Sequence, residues 1–369
     1  MILKQSSSLF GPSPPILLTL KMKSGLLRKL VTNWLLTDPN YTIDHGDSRN
    51  YQMQKYADMP YVYCFGGRFK FVKHKPISLA VATTIIAGGV LFWVFEASWF
   101  WHNISPAVVV IFSYLWFLLF MFFVKCSTSD AGIQPRNVHL PFDFEHASSL
   151  TAPDEYFNTI SLPYYSDRYH GVSVKYCATC HIWRLPRMSH CGKCNSCVLV
   201  HDHHCVYLNN CIGARNYRYF LWFLLCAVAT CVFLATLSFV HLFHYRTEEL
   251  DVHRFSQSAS RSPVALLLAI ISLSGVVYPT LLLAFHLFLT ANNITTREFL
   301  NNARPLHNLL AEERYVNVFD TKSVAANLWL NWIASPQGLS LVKPREKYTS
   351  GDIRLADLPV LTSFEGRVK

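Results

Sequence analysis

CATCHIWRLPRMSHCGKCNSCVLVHDHHCVYLNNC, residues 177–211, decides how the rest of the chain is read. These 35 residues hold seven of the eleven cysteines and five of the sixteen histidines. Structural zinc is four-coordinate, takes thiolate and imidazole donors, and is commonly held by CxxC knuckles. Cys177/Cys180 and Cys191/Cys194 are two such knuckles, and Cys197 follows three residues after Cys194. Two sites of three cysteines and one histidine would leave one thiol over. One all-cysteine site beside a three-cysteine, one-histidine site would consume all seven. Spacing leaves both open. Asp202-His203-His204-Cys205 supplies a reason for a spare thiol. A nucleophilic thiol needs a base, and the base needs an orienting group. With His204 as a metal ligand, Cys205 is held rigidly and His203 is left to act as base.

On either side of the cluster lies a pair of apolar runs: Ile77–Trp101 and Ser105–Val124 before it, Tyr219–Tyr245 and Val264–Thr290 after it. Each is long enough for a bilayer core of roughly 30 Å. Hydrophobic residues make up 51% of the chain and charged residues only 15%, well under the roughly 25% of soluble domains. The fold class that follows is an α-helical polytopic membrane protein, four transmembrane helices with a two-zinc cysteine-rich domain between spans two and three. The net charge of +10 is spread beside the apolar runs, which favours membrane lipid or phosphorylated ligands and no nucleic acid. Eleven Lys/Arg precede the first span and none separates spans one and two. Nine lie between spans two and three, three between three and four, and ten follow. The positive-inside rule then predicts that both termini and the zinc domain are cytosolic. The opening residues break their apolar patch with Pro12, Pro14 and Pro15 and read as a tail, not a signal peptide. The cysteines are therefore expected reduced and metal-bound.

These readings divide the chain into 1–76, an N-terminal region with an amphipathic segment at 25–36; 77–124, spans one and two; 125–218, a loop containing the zinc domain at 175–218; 219–290, spans three and four; and 291–369, a C-terminal region. In the first region YVYCFGGRFKFVKHKP predicts a hairpin about Gly66-Gly67. Cys64 is read as structural. Glu96 is expected at the membrane interface, and Asn103-Ile104-Ser105 is expected unglycosylated. Residues 129–171 show no persistent period and read as irregular chain. Ala325, Leu328, Trp329, Trp332 and Ile333 recur at helical spacing within 322–334, an interfacial helix with both tryptophans on one face.

The spaced pattern Cys177, Cys180, Arg184, Pro186, Arg187, His190, Cys191, Cys194, Cys197, Asp202-His203-His204-Cys205, Asn210-Cys211, Gly213, Asn216 and Phe220 closely resembles the DHHC family of protein S-acyltransferases. Thr295-Thr296-Arg297-Glu298 is similar to that family's TTxE motif. The resemblance covers about residues 75–335. It implies one zinc on Cys177, Cys180, His190 and Cys197 and a second on Cys191, Cys194, His204 and Cys211, both structural, with Cys205 free. It implies Cys205 as nucleophile, His203 as base and Asp202 as its orienter. Thr296 would brace the triad near Asp202, and Asn216 would seat the zinc domain on the third span. Acyl-CoA, palmitoyl-CoA above all, is the implied donor. Its chain would lie among the four spans, where Ala227, Ala229 and Thr230 either leave room for it or serve close helix packing. Arg184 and Arg187 are the candidates for its phosphates. The segments CFGGRF and FDTK…KPRE…DIRLADL are further similar to family members that act on Ras-like GTPases with a small accessory subunit in the endoplasmic reticulum membrane, with the Golgi as the alternative compartment.

The sequence departs from the family at Asp130-Ala131-Gly132, where members have Asp-Pro-Gly, and at Val206-Tyr207, where many have Pro-Trp. The first is expected to loosen a turn. The second keeps an aromatic and is expected to leave activity intact. Cys126, just after span two, is a further acylation candidate, read here as without a role. A membrane-tethered zinc scaffold without catalysis is the competing reading. A complete Asp-His-His-Cys argues against it, because a scaffold has no use for a triad.

Overall fold

The computed structural model of the protein describes residues 61–65, 69–72, 77–134, 159–164, 167–180, 182–244, 254–302 and 317–334, and Leu35 singly. The segment 25–36 otherwise lies outside the described residues, as does the tail after 334.

Among the described residues four helices are long and apolar enough to cross a membrane: α1 (Ile77–Asn103), α2 (Pro106–Thr128), α3 (Tyr217–Phe243) and, after the short α4 (Phe255–Arg261), α5 (Pro263–Ala291). The sharp reversal between α1 and α2 is written into Ser105-Pro106. The Ser105 hydroxyl accepts from the Ala107 N–H at 3.2 Å, and Pro106 occupies the first helical turn, where its missing N–H costs nothing. Apolar side chains such as Val94, Phe117, Val232 and Leu281 are more than half exposed, the surface a bilayer would cover. Phe92, Phe100, Phe112, Leu234 and Leu268 close the core at one end of the bundle. Phe123, Phe220, Leu224 and Leu283 close it at the other, together with Cys205, Leu208 and Ile212 of the zinc domain.

Glu96, expected at the membrane interface, is enclosed by its own protein near the ends of the spans. It ends a π-helical turn within α1, Phe92–Glu96, is 3% exposed, and lies 2.5 Å from His241 Nδ1. His241 Nε2 meets the Ser262 hydroxyl at 3.2 Å, and Trp99 stacks on the imidazole at 4.0 Å. A carboxylate within an apolar span is costly unless paired, so the sequence position near the end of the run understated how far the neighbouring spans enclose it.

Before the first span, β1 (Tyr61–Cys64) and β2 (Phe69–Val72) form the expected hairpin. It leans on the zinc domain through Asn209 Nδ2, which donates to the Val72 carbonyl at 2.8 Å. Residues 129–171 are less irregular than expected. β3 (Thr159–Tyr164) pairs antiparallel with β4 (Asp167–Cys177). The signal was the alternation Ile160-Ser161-Leu162 against Val172-Ser173-Val174, a period of two over a stretch too short to stand out. The turn after α2 is not loosened by Ala131. The Asp130 carboxylate accepts from the Gly132 and Ile133 N–H groups at 2.9 and 3.0 Å, so the side chain of Asp130 supplies the constraint.

The zinc domain continues with β5 (Ile182–Trp183) on β4, then two hairpins, β6 (Ser189–Cys191) with β7 (Ser196–Val198) and β8 (His203–Cys205) with β9 (Asn210–Ile212). Beyond α5 come α6 (Thr296–Asn302) and α7 (Val324–Trp332). α7 docks on the end of α5: Asn327 Nδ2 donates to the Ala291 carbonyl at 2.9 Å and Trp332 Nε1 to Thr290 Oγ1 at 3.3 Å. The two tryptophans differ in environment. Trp332 packs edge-on against Trp222, while Trp329 is 61% exposed.

Candidate active site and metal centres

Strand alternation sorts the cluster. His190 and Cys197 are cross-strand partners in the β6–β7 hairpin, and His204 and Cys211 are partners in the β8–β9 hairpin. Successive side chains on a strand point to opposite faces. His190 therefore joins Cys177, Cys180 and Cys197, while its neighbour Cys191 turns away to join Cys194, His204 and Cys211. In the first set His190 Nδ1 lies 3.6, 3.4 and 3.9 Å from the sulfurs of Cys177, Cys180 and Cys197. In the second, His204 Nδ1 lies 3.7, 3.4 and 3.6 Å from those of Cys191, Cys194 and Cys211. Zinc bonded to sulfur at about 2.3 Å and to nitrogen at about 2.0 Å in a tetrahedron demands S···N edges of about 3.5 Å. Both sets fit a zinc ion. His201 Nε2 sits 3.7 Å from Cys211 Sγ, placed to donate to a ligand sulfur from outside the set.

The same alternation frees the reactive groups. On β8, His204 faces the second metal set, so His203 and Cys205 face the other way, toward the spans. The Cys205 thiol is buried among Phe123, Leu208 and Leu224, within hydrogen-bonding reach of His203. His203 Nδ1 donates to Asp202 Oδ2 at 2.6 Å, leaving Nε2 for the thiol. Phe220 of α3 sets its edge against the His203 ring at 5.3 Å. Thr296 holds the carboxylate twice, its N–H on Oδ1 at 2.7 Å and its hydroxyl on Oδ2 at 2.8 Å.

These contacts set the charges. Burial pushes the Asp202 carboxyl up, but the His203 and Thr296 hydrogen bonds outweigh it and leave the group below its ordinary value. Burial pushes the His203 imidazole down, but Asp202 and Cys205 overcome this and raise it to about 9. At neutral pH the centre is thus arranged for an imidazolium beside an ionised carboxylate.

The TTxE segment is a reciprocal helix cap. The Thr295 N–H donates to Glu298 Oε2 at 2.8 Å, and the Glu298 N–H donates to Thr295 Oγ1 at 3.1 Å, satisfying two donors at the start of α6. The cap aims Thr296 at Asp202. Glu298 also takes Arg187 Nε and Nη2 at 2.9 and 2.8 Å, while Arg187 Nη1 donates to Asn293 Oδ1 at 3.1 Å. All three Arg187 nitrogens are engaged within the protein, on Glu298 of α6 and on Asn293 just before it. Arg187 adopts φ 63° after Pro186, at the third position of a turn closed from Met188 N–H to the Leu185 carbonyl. Glycine or asparagine is the usual residue there, so the guanidinium is kept against a backbone preference. Arg184 is half-buried, and its Nε has no hydrogen-bond partner among the described residues.

Asn216 stands at the start of α3, where the zinc domain meets it. It accepts from the Gly213 N–H at 2.9 Å and donates to the Cys211 carbonyl at 2.8 Å. A side chain at Gly213 would bring its Cβ within 2.6 Å of the Ala131 carbonyl oxygen. Asn210, cross-strand from Cys205, donates to the Cys126 and Ser129 carbonyls, each at 2.8 Å, capping the end of α2. Cys126 itself is fully buried in that last turn. Sequence reasoning named Asn210 only as part of the family pattern and passed over His201, Tyr217 and His286. For His286 the signal was present: an ionisable residue inside an apolar span.

Among the spans lies an apolar cavity of about 390 Å³. Trp116, Phe112, Leu234, Ala227 and Thr230 line it, and Tyr207, two residues from the thiol, stands on its wall. Ala229 is not among the lining residues.

Fold and site together define a membrane-embedded thiol enzyme, in which two metal-binding clusters frame one cysteine, one histidine and one aspartate against four helices. A family model described as DHHC palmitoyltransferase matches residues 172–303. The chain is 48% identical to palmitoyltransferase ERF2 of Debaryomyces hansenii over 348 residues, 92% of this chain and 93% of that protein. It is 38% identical to palmitoyltransferase ERF2 of Saccharomyces cerevisiae, covering 92% of each, and 37% identical to that of Kluyveromyces lactis, covering 90% of each. The protein belongs to the DHHC palmitoyltransferase family and is a protein S-acyltransferase.

Proposed function

We propose that this enzyme moves a palmitoyl group from palmitoyl-CoA to cysteines of membrane-associated proteins through an acyl-Cys205 intermediate. One observation carries the reading. Of the seven thiols in the cluster, Cys205 alone falls outside both ligand sets, and it is the one beside a histidine held by a carboxylate. The thiol's proton rests on His203 Nε2 as the imidazolium, which Asp202, held by Thr296, orients and stabilises. The sulfur attacks the thioester carbonyl; the bond to CoA breaks, and His203 returns the proton to the departing CoA thiolate. In the second half-reaction an acceptor cysteine gives its proton to His203 and attacks the acyl-enzyme, and Cys205 leaves. Two half-reactions through a covalent intermediate are ping-pong. Zinc in the two clusters supplies a fold-closing structural bond rather than Lewis-acid chemistry, so the ligand residues act by holding β8 in place.

The acyl chain is assigned to the cavity between the spans, where each buried methylene contributes about 0.8 kcal/mol. Arg184 is a basic candidate for CoA phosphates. The Lys/Arg distribution supports a cytosolic zinc domain and cytosolic termini. The resemblance of CFGGRF and the C-terminal tail to members that act on Ras-like GTPases supports those substrates, a small accessory subunit and the endoplasmic reticulum membrane. Purification of the native protein, with identification of co-purifying chains and acylated clients, tests that assignment.

The chemistry is tested by incubating the purified full chain with labelled palmitoyl-CoA. Wild type should take up a hydroxylamine-sensitive label that Cys205→Ser abolishes while both zinc ions stay bound. Label retained in that variant would overturn the nucleophile.

A further inference from the structure

One titratable group beside the triad has no part in the steps above. His286 lies in α5, 2% exposed, on a span whose surroundings are otherwise apolar. Such a residue marks a partner, and two contacts identify it. The Tyr217 hydroxyl, at the start of α3, lies 2.9 Å from His286 Nδ1. A ring nitrogen of His286 also lies within 4.8 Å of both an Asp202 carboxylate oxygen and a His203 nitrogen. A buried phenol needs an acceptor for its hydrogen, and Nδ1 provides one; the neutral ring then carries its own proton on Nε2. The spacing to the carboxylate is one that a single bridging water closes.

Packing acts in the same direction. The Phe220 ring stands edge-on to His286 at 5.0 Å and to His203 at 5.3 Å, and the two imidazoles are 6.0 Å apart. His203 is thus confined by α3 and α5 at the same time. The same three groups could in principle hold a metal, but Asp202 argues against it. Its two oxygens already accept from His203 at 2.6 Å and from Thr296 at 2.7 and 2.8 Å.

We propose that His286, set in its tautomer by Tyr217, is a positioning residue for the acyl-transfer centre: it holds Asp202 and the His203 ring from the fourth span and so ties the triad to the helices that line the acyl cavity. This rests on the assignment of Cys205, His203 and Asp202 to the chemistry.

The test uses the full chain, zinc-loaded and in lipid nanodiscs. It measures the maximal rate of Cys205 self-acylation, the half-saturating palmitoyl-CoA concentration, and bound zinc. His286→Ala should lower the maximal rate about tenfold or more, with half-saturation unchanged and both zinc ions retained, because the loss falls on the reacting groups and not on donor binding. His286→Gln keeps a donor near the ε position and should recover to within about threefold of wild type. Tyr217→Phe should slow the reaction alone and add nothing in the His286→Ala background, since it acts through that ring. A wild-type rate in His286→Ala overturns the proposal. So does a His286→Gln variant as slow as His286→Ala or equally depleted of zinc, which would mark packing alone. Label persisting in Cys205→Ser would instead strike the underlying assignment, so the two failures are distinguishable.

Discussion

His203 and Asp202 make opposite demands on pH. His203 is raised from 6.5 to about 9 in the folded protein, so its contribution to stability is fully present below pH 6.5 and is lost as pH rises through about 9. The melting temperature of wild type should therefore exceed that of His203→Gln most at about pH 6.5, with the gap closing as pH rises toward 9. A gap of constant width across that window would refute the charge assignment. Asp202 is lowered below 3.8, so its contribution is present above that value and fades only as pH falls below it. Asp202→Asn should leave zinc binding intact and reduce self-acylation about 100-fold or more, the scale of a lost acid–base element. Thr296→Val should do less, because the Thr296 backbone donor remains on Asp202 Oδ1. At this scale the residues themselves were informative about types, while the Thr296 partner of Asp202 came only from the family resemblance. Asp-His-His-Cys could be read as a triad, but the second grip on Asp202 comes from a residue 94 positions away.

At the scale of elements, two short hairpins and one helix cap do the organising. Cys177→Ala should lose the first zinc and activity together, measured as metal content and acylation of one preparation; full activity without that zinc would refute its structural role. Gly213→Ala forces a Cβ against the Ala131 carbonyl oxygen and should destabilise by about 1–3 kcal/mol, as overpacking does, read as a lowered melting temperature. Glu298→Ala removes both a helix cap and the acceptor for two Arg187 nitrogens. Arg187→Lys should fail to restore the brace, since an ammonium cannot reproduce a forked pair of bonds. The expectation that Arg187 meets CoA came from guanidinium chemistry alone. That chemistry fits a carboxylate as well as a phosphate, and the placement of α6 beside the turn at Pro186 puts the Glu298 carboxylate within its reach. The β3–β4 hairpin was missed for a different reason: six residues of alternation carry little signal against a background of scattered proline and serine.

Across the whole molecule, metal and membrane stabilise different parts. Chelation of zinc should abolish acylation while the helical far-ultraviolet signal of the four spans persists, because binding energy from the metal is folding energy for the strands it closes and not for helices whose backbone bonds are internal. Loss of helix in step with zinc would contradict this division. The long apolar runs and the residue types available as metal donors, nucleophile, base and orienter were legible in the chain itself. Long apolar runs cannot dissolve in water, and thiolate and imidazole at knuckle spacing have few other uses. The resemblance implied that Cys205 is the free thiol, and the tertiary structure supplies the physical reason. Period-two alternation on β6 and β8 sends adjacent residues to opposite faces, so neighbours in sequence serve different metals and Cys205 turns to the spans. The tertiary structure alone decided that Glu96 is enclosed with His241, that Arg187 meets Glu298, and that His286 stands beside Asp202. Each of these depends on pairing residues dozens to more than a hundred positions apart, and no local pattern encodes such a distance.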